Sequence, residues 1–335
     1  MSSAALETLM LPFSDGTLVV PARALFLGAT PHRALDAWPD ITGWQPFKPI
    51  ADAWHRAGYP SADVLPGGRW PVVLILPGKS RDETLLWFAL ARERLEPGGT
   101  IVAAMTNETG AQRFEKELAK ATSGVVTQSK SKCRVFHATD NGCWNGKIFS
   151  EWHALGGMKR VENSAFVTQA GVFSHGRIDV GSRLLADRLP ASLRGKVADL
   201  GAGWGFLTDA IFRRCPDVKH IDLYEADSRA LACAGENLTE FTARCSFHWH
   251  DVAAGVPGVY DAIVMNPPFH TGKSTDLALG RSFITHAHGA LRRGGKLLLV
   301  ANRQLPYEPL LQELGFSFRI TGQDPTFKVI FAGKR

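Results

Sequence analysis

A chain of 335 residues is long enough for two domains of ordinary size. With 45% hydrophobic and 21% charged residues it has an average globular composition, and no stretch approaches the roughly 18 uninterrupted apolar residues of a membrane span. The net charge of +6 is spread evenly, with 18 Lys+Arg against 15 Asp+Glu in residues 1–160 and 20 against 17 in 161–335, which excludes a basic tail.

The opening MSSAALETLMLPF has neither the basic flank nor the apolar run of a secretory signal. Five cysteines (Cys133, Cys143, Cys215, Cys233 and Cys245) are scattered, odd in number and form no CxxC pair. That pattern points to a reducing compartment and away from a disulfide framework or a zinc site. The expectation is a cytoplasmic protein without metal.

In the first half, ALFLGA (24–29) reads as an early strand and turn with a single glycine, Gly28. WPVVLILP is a buried strand, ETLLWFALARERL a helix, EPGG a break, and TIVAAM a further strand. Beyond it, Arg113, Lys116, Lys120, Lys130, Lys132 and Arg134 are opposed only by Glu115 and Glu117. Such a cluster can track phosphates; it reads equally as a solvated helix face followed by a basic loop. Gly156-Gly157 and the polar stretch to Asn163 form a linker, and AFVTQAGVFSHGRIDVGSRLL a short hairpin and helix.

The second half has a clearer grammar. Val197 to Leu200 is a strand, GAGWG a glycine-rich turn and FLTDAIFRRC a helix. HIDLYE is a strand, Asp227 an N-cap and SRALACAGENL the helix it opens. CSFHWH and DAIVMN are further strands, and a helix over 277–291 leads through Arg292-Arg293-Gly294-Gly295 into KLLLVAN. A helix at PYEPLLQELG and an antiparallel pair, FSFRITGQ and FKVIFAGK, close the chain. Alternating strands and helices define a doubly wound α/β domain. The order strand, helix, Gly-Gly, strand occurs in both halves, so the chain reads as a duplication, with residues 1–160 and 161–335 as the copies. The copies differ where chemistry would sit. The first has no GxGxG, and its strand ending at Leu76 runs into Pro77-Gly78-Lys79 without an Asn-Pro-Pro, so the first copy reads as degenerate, kept for substrate recognition or support.

Asp199-Leu-Gly201-Ala-Gly203-Trp-Gly205 lies between a strand and a helix. Glycines let such a turn bend sharply and bring backbone N–H groups close to a ligand. The spacing is GxGxG rather than the GxGxxG of nicotinamide sites, and Asp199, two positions upstream, suits an ammonium group such as methionine carries. Glu225, at the end of the second strand, is placed to take both ribose hydroxyls. Asp251, after the third, is placed to hold an adenine amine, with Val252 as an apolar contact. Carboxylates at the ends of successive strands lie where open sheets bind ligands, and together they spell S-adenosylmethionine.

Met265-Asn266-Pro267-Pro268-Phe269-His270 follows the fourth strand. The prolines stiffen the turn and remove two backbone donors. That leaves the Asn266 side-chain oxygen and the Pro267 carbonyl to accept the two N–H groups of a planar amine, whose lone pair then faces the sulfonium methyl. Asn266 thus borders both ligands, and Pro268 completes the rigid turn. Phe269 can stack on the ring that carries the amine, and His270 can touch substrate. His248 and His250 share a strand face without a carboxylate–cysteine set to make a metal site.

DLGAGWG, Glu225, MNPPFHTG, GVFSHGRIDVGSRLL and the closing FKVIFAGK resemble the RsmC-type bacterial ribosomal RNA guanine-N2 methyltransferases. KSKCR at 130–134 also has a counterpart there. The resemblance implies two tandem class I methyltransferase-like, Rossmann-like domains, the first degenerate. It implies transfer from S-adenosyl-L-methionine to the N2 amine of a guanosine in small-subunit rRNA, with ribosomal RNA or a ribosomal subunit as partner and a monomeric enzyme. A sister branch modifies 23S rRNA. By position, Asn266 to Phe269 hold the base, and Gly201, Gly203, Gly205, Glu225 and Asp251 the cofactor. Lys130, Lys132, Arg134 and His270 are the remaining substrate candidates. This chain has Ala202-Gly203-Trp204 where relatives often have Cys-Gly-Ala, and Glu where they often have Asp at 225. The four-residue motif alone also fits an adenine-N6 methyltransferase. A protein-glutamine methyltransferase usually carries Tyr after the prolines, and a non-catalytic RNA-binding assembly factor would retain the fold without the motifs.

Overall fold

Strands buried on both faces must be apolar at nearly every position, and ALFL (24–27) and WPVVLI (70–75) are so in the computed structural model, which describes residues 3–268, 270–271, 274–275 and 277–335. Two units are distinguished, Met1–Gly157 and Met158–Arg335.

The first unit is built on a seven-stranded sheet of β1 (Ala24–Leu27), β2 (Ile41–Trp44), β3 (Ser61–Ala62), β4 (Trp70–Ile75), β5 (Leu95–Thr106), β6 (Val126–Lys130) and β7 (Cys133–Thr139). Its order is β3-β2-β1-β4-β5-β7-β6, parallel except for β7, which runs antiparallel to β5 and β6. The period-2 alternation of strands divides its core. Leu25, Leu27, Val73, Ile75, Ile101 and Ala103 pack on one side with Phe88 and Phe114. Phe26, Leu74, Val102 and Ala104 pack on the other with Leu9, Trp38 and Trp54.

The second unit begins with a small antiparallel pair, β8 (Lys159–Arg160) and β9 (Val167–Thr168). Its main sheet comprises β10 (Gly195–Leu200), β11 (Val218–Glu225), β12 (Cys245–Trp249) and β13 (Tyr260–Met265). The short pair β14 (His270–Thr271) and β15 (Ser274–Thr275) intervenes before β16 (Leu291–Asn302), β17 (Phe316–Gln323) and β18 (Phe327–Lys334). The order β12-β11-β10-β13-β16-β18-β17 repeats that of the first unit strand for strand.

The repeat extends to an irregularity. Trp70 pairs with Leu95 and Val72 with Thr100, so Glu96–Gly99 bulge out of the ladder; Tyr260 pairs with Leu291 and Ala262 with Lys296, so Arg292–Gly295 do the same. Gly98 and Gly294 take the left-handed conformation there, with φ of 77° and 74°. EPGG and RRGG are therefore bulges inside long strands rather than breaks before them. Each lets one strand bend without ending the ladder. A second correction concerns Lys130–Arg134. They are not a loop but a β6–β7 hairpin with a two-residue turn, Ser131 and Lys132 both at positive φ (50° and 60°).

Packing is tightest where the helix Leu277–Ala290 crosses Tyr307. That ring is fully buried, and a Cβ on Gly280 would lie 1.8 Å from its hydroxyl. Helix propensity alone would favour Gly280→Ala by about 1 kcal/mol, but overpacking a filled site costs about 1–3 kcal/mol or more. We expect Gly280→Ala to lower the denaturant midpoint, whereas Gly289→Ala on the same helix, with nothing within 4 Å, should not. Equal midpoints for the two variants would refute the packing argument.

Candidate active site

The carboxyl ends of β10 and β13 are adjacent, since Leu200 pairs with Met265. Beyond Leu200 the chain turns through Gly201, Gly203 and Gly205 at φ of 73°, 56° and 90° before entering the helix Phe206–Arg214. Side chains rarely tolerate these angles, and a Cβ at Gly205 would also press on Leu238 at 3.0 Å. The turn is tied to β11 by its neighbours. Gly201 N and Ala202 N donate to Tyr224 O (2.8 and 3.1 Å). Glu225 then takes Gly203 N on Oε2 (2.7 Å) and Asp227 N on Oε1 (2.8 Å). Burial pushes the Glu225 pKa up to about 7 despite these backbone donors. Each oxygen keeps a second lone pair toward other donors.

Asp199 is placed differently from the expectation. It is fully buried beneath the turn, not in the cleft wall, and Oδ2 accepts from Thr208 Oγ1 at 2.8 Å. Its Oδ1 has no hydrogen-bond partner among the described residues. Burial pushes its pKa up to about 7, and the nearby Glu225 adds to the rise. Asp251 caps the short turn Val252–Ala254 by accepting from Ala253 N (2.9 Å). Val252 is packed into the core with Tyr224 and offers little open surface, 2%.

Asn266 follows β13 and is half-buried. Its Nδ2 donates to Asp179 Oδ2 (2.9 Å) and to Ser182 Oγ (2.8 Å). Asp179 Oδ2 also accepts from Ser182 N (2.7 Å), capping the helix Val180–Asp187. An ionised carboxylate only accepts hydrogen bonds, so it fixes which end of the Asn266 amide faces it. Both amide hydrogens are used, and the carbonyl oxygen is directed elsewhere. Pro267 is buried and Pro268 exposed. Phe269 lies outside the described residues, as do Gly272 and Lys273; His270 stands in β14.

The cleft beside Asn266 is lined by Gly201–Trp204, by Phe173, Ser174, Asp179 and Ser182, and by Phe206 and Leu207. Asp179, Ser182 and Phe173 were not singled out from the sequence. Asp179 carried a usable signal, an Asp three residues before a Ser at a helix start. Trp204 is 4% exposed and packs edge-on against Phe206. His248 stacks on Tyr224, and His250 Nε2 lies 2.7 Å from Gly255 O, so both histidines are held by packing. Among the described residues no group of His, Cys, Asp and Glu could hold a metal ion.

Lys130, Lys132 and Arg134 belong to the first unit. Lys130 and Lys132 are exposed at the hairpin tip, whereas Arg134 is engaged by Glu115 at 2.7 Å. The same unit keeps the skeleton of the glycine-turn site without its chemistry. Through the pairings of Leu27 and Leu200, Gln45 takes the place of Glu225 and Leu76 that of Asn266. Gln45 Oε1 still accepts from Phe47 N (3.1 Å), but its Nε2 donates to Ala29 O (3.2 Å). Leu76 is 1% exposed, and Trp87 fills the space above Gly28.

Residues 163–331 match the family described as methyltransferase small domain. This places the second unit among the small-domain methyltransferases. The chain is 30% identical to the ribosomal RNA small subunit methyltransferase C of Psychromonas ingrahamii over 265 residues, 78% of this chain and 75% of the relative. It is 30% identical to that of Haemophilus influenzae over 232 residues, 69% and 70% of the two chains. The solved structure of RsmC from T. thermophilus, a 16S rRNA N2 methyltransferase in complex with AdoMet and guanosine, superposes with a TM-score of 0.82. It shares 26% identity, over 99% of this chain and 92% of that one. The chain belongs to the ribosomal RNA small subunit methyltransferase C family.

A carboxyl whose folded pKa is raised binds more protons folded than unfolded between its ordinary value and the raised one. It therefore lowers stability as pH rises through that window. For Asp199 the window runs from 3.8 to about 7. Asp199→Asn should remove part of that decline, read as a flatter melting temperature against pH than wild type. Parallel profiles would mean that Asp199 does not titrate there.

Proposed function

We propose that the second unit transfers the methyl group of S-adenosyl-L-methionine to the exocyclic N2 amine of a guanosine in 16S rRNA. The observation that carries this reading is the fixed amide of Asn266. With Nδ2 committed to Asp179 and Ser182, the carbonyl oxygen is the end offered to a substrate. A planar amine can give one N–H to that oxygen and one to the Pro267 carbonyl. Its nitrogen lone pair, otherwise delocalised into the ring, is then turned out of the base plane. Holding two reactants in such a geometry can supply about 7–11 kcal/mol of the barrier, so no strong base is needed and the surplus proton can leave to water.

The residues fit the cofactor. The face of Gly203 toward the cleft is open, with nothing within 4 Å of a built Cβ, while Glu225 and Asp199 supply acidic groups at and beneath the turn. Glu225 would hold the ribose hydroxyls and Asp251 the adenine amine, with Gly201, Gly203 and Gly205 shaping the cradle. Asp199 would act from below on the charge of the methionine portion, and Val252 would support the adenine site from the core. The sulfonium methyl is what the cofactor supplies; binding, orientation and exclusion of water are the work of these side chains.

The first unit, which lacks the Asn and Glu of the second, would serve RNA recognition or support, and the exposed Lys130 and Lys132 are its best phosphate contacts. Arg134, paired with Glu115, would brace the hairpin. No helix among the described residues is long and apolar enough to cross a membrane, and the cytoplasm is where such an RNA substrate is met.

The direct test uses labelled S-adenosylmethionine and ribosomal subunits from cells lacking the protein, followed by digestion to nucleosides. Label in N2-methylguanosine from the small subunit is expected. The same product from the large subunit would move the enzyme to the sister branch. Label in N6-methyladenosine, in protein or nowhere would overturn the substrate assignment. Asn266→Ala should lower single-turnover transfer at least about 100-fold, the scale on which loss of one positioning donor or acceptor is felt. Its cofactor affinity should change little, and equal loss of both would remove the role given to Asn266. Lys130→Gln with Lys132→Gln should weaken RNA binding and reduce the slope of log affinity against log salt by about 2. An unchanged slope would take the hairpin out of the RNA interface.

A further inference from the structure

Phe173 stands out among the large apolar side chains that reach solvent. It is 67% exposed, and it lines the cleft that also contains Asn266, Asp179 and Trp204. A lone exposed apolar residue is ordinary on a protein surface; one in the wall of a cleft beside a polarised amide is not explained by that rule. Its backbone surroundings hold it there. Val172, the residue before it, is 2% exposed and packs with Trp204, which anchors the segment to the glycine turn. Ser174, the residue after it, takes a left-handed backbone at φ 55°. Ser174 Oγ donates to Arg177 O at 2.7 Å, and Arg177 N donates back to Ser174 O at 3.4 Å, closing a compact turn. Non-glycine residues are costly in that conformation and persist only where neighbours over-determine it. The turn leaves a flat aromatic ring at the cleft, followed by exposed His175 and Arg177.

We propose that Phe173 is the stacking platform for the target nucleobase while Asn266 holds its amine, an inference that rests on the base-methylating function proposed above. An aromatic face presented to water, four residues before the exposed Arg177, is the kind of surface on which proteins stack unpaired bases of RNA. It gives the cleft a contact for the ring itself, separate from the acceptors that hold its amine. The cofactor's adenine is not assigned to this ring, because Asp251, proposed above to hold it, follows β12, two strands from β10, and does not line this cleft.

The test compares Phe173→Ala, Phe173→Leu and Phe173→Trp, each carrying S-adenosylmethionine, with free guanosine as competitor and small subunits as substrate. Stacking predicts that the KM for subunits and the inhibition constant for guanosine rise about 10-fold or more in the Ala and Leu variants. Both should stay within about 3-fold of wild type in the Trp variant, following the usual strength of base–aromatic stacking. Cofactor affinity and melting temperature should not move, since the ring is exposed. A Leu variant equal to wild type would show that mere apolar contact suffices and would overturn stacking. A parallel loss of S-adenosylmethionine affinity would reassign the ring to the cofactor. The wild-type product is read in the same assay. N6-methyladenosine there would sink the guanine reading while the variant panel still judged Phe173, whereas label in protein would sink both.

Discussion

An amide side chain has one end that donates and one that accepts, nearly equal in shape, and a site that needs the acceptor must forbid the other orientation. In this protein the choice is made by Asp179. Its carboxylate can only accept, so it turns Nδ2 of Asn266 toward itself, and Ser182 takes the second hydrogen. The same Oδ2 caps the helix Val180–Asp187 through Ser182 N. Helix start and amide orientation are thus set by one oxygen. Much else at the site follows from keeping that arrangement rigid. The prolines at 267 and 268 follow Asn266 directly, and β13 beneath them is buried from Ala262 to Met265. Positional precision of this kind is what a reaction driven by orientation demands.

The first unit shows what remains when that demand is lifted. It has the same strand order and the same bulge before the central antiparallel pair. It also has the same hydrogen bond from the backbone N–H two residues on to a strand-end side-chain oxygen, accepted by Gln45 instead of Glu225. The replaced positions have turned inward. Leu76 stands in the core where Asn266 stands at a cleft, and Trp87 occupies the room above Gly28. Apolar filling of that kind favours folding by roughly 25 cal/mol for each Å² removed from water. Function kept the polar groups in one copy, and packing took their places in the other.

Most strand positions of the second half and the main helices were legible because apolar runs and caps are local signals. WPVVLI, KLLLVAN, Asp227 and the glycine turn fall where the pattern put them. The Gly-Gly segments were misread as breaks, since a bulge inside a strand and a turn before it use the same residues; only the ladder on the neighbouring strand tells them apart. Asp179 is 87 residues from Asn266 in sequence, and no periodicity links them. Asp199 was legible as an acid near a glycine turn, but not as one whose side chain points under it. Burial is a property of the packed sheet, and strand alternation alone does not say which layer is filled by the following helix. Phe173 gave no signal, because an aromatic in an irregular segment has no period to compare it with.

The glycine turn has few side chains of its own, and two acids accompany it, Asp199 fully buried and Glu225 half-buried. Two carboxyl groups lie at and beneath it, and their only hydrogen-bonding partners among the described residues are backbone N–H groups and the hydroxyl of Thr208. Burial pushes both pKa values up to about 7. A neutral ligand would leave those values as they are. A cationic one favours the ionised forms and is favoured by them in return, since attraction between charges strengthens as water is excluded. A cationic ligand at the turn would therefore be read by charge as well as by shape, which the glycines themselves cannot do. Removing the acids' charge would flatten the decline of stability between the ordinary carboxyl pKa and about 7. The first unit, with Gln45 and Phe26 at the corresponding positions, has no counterpart of this acid pair.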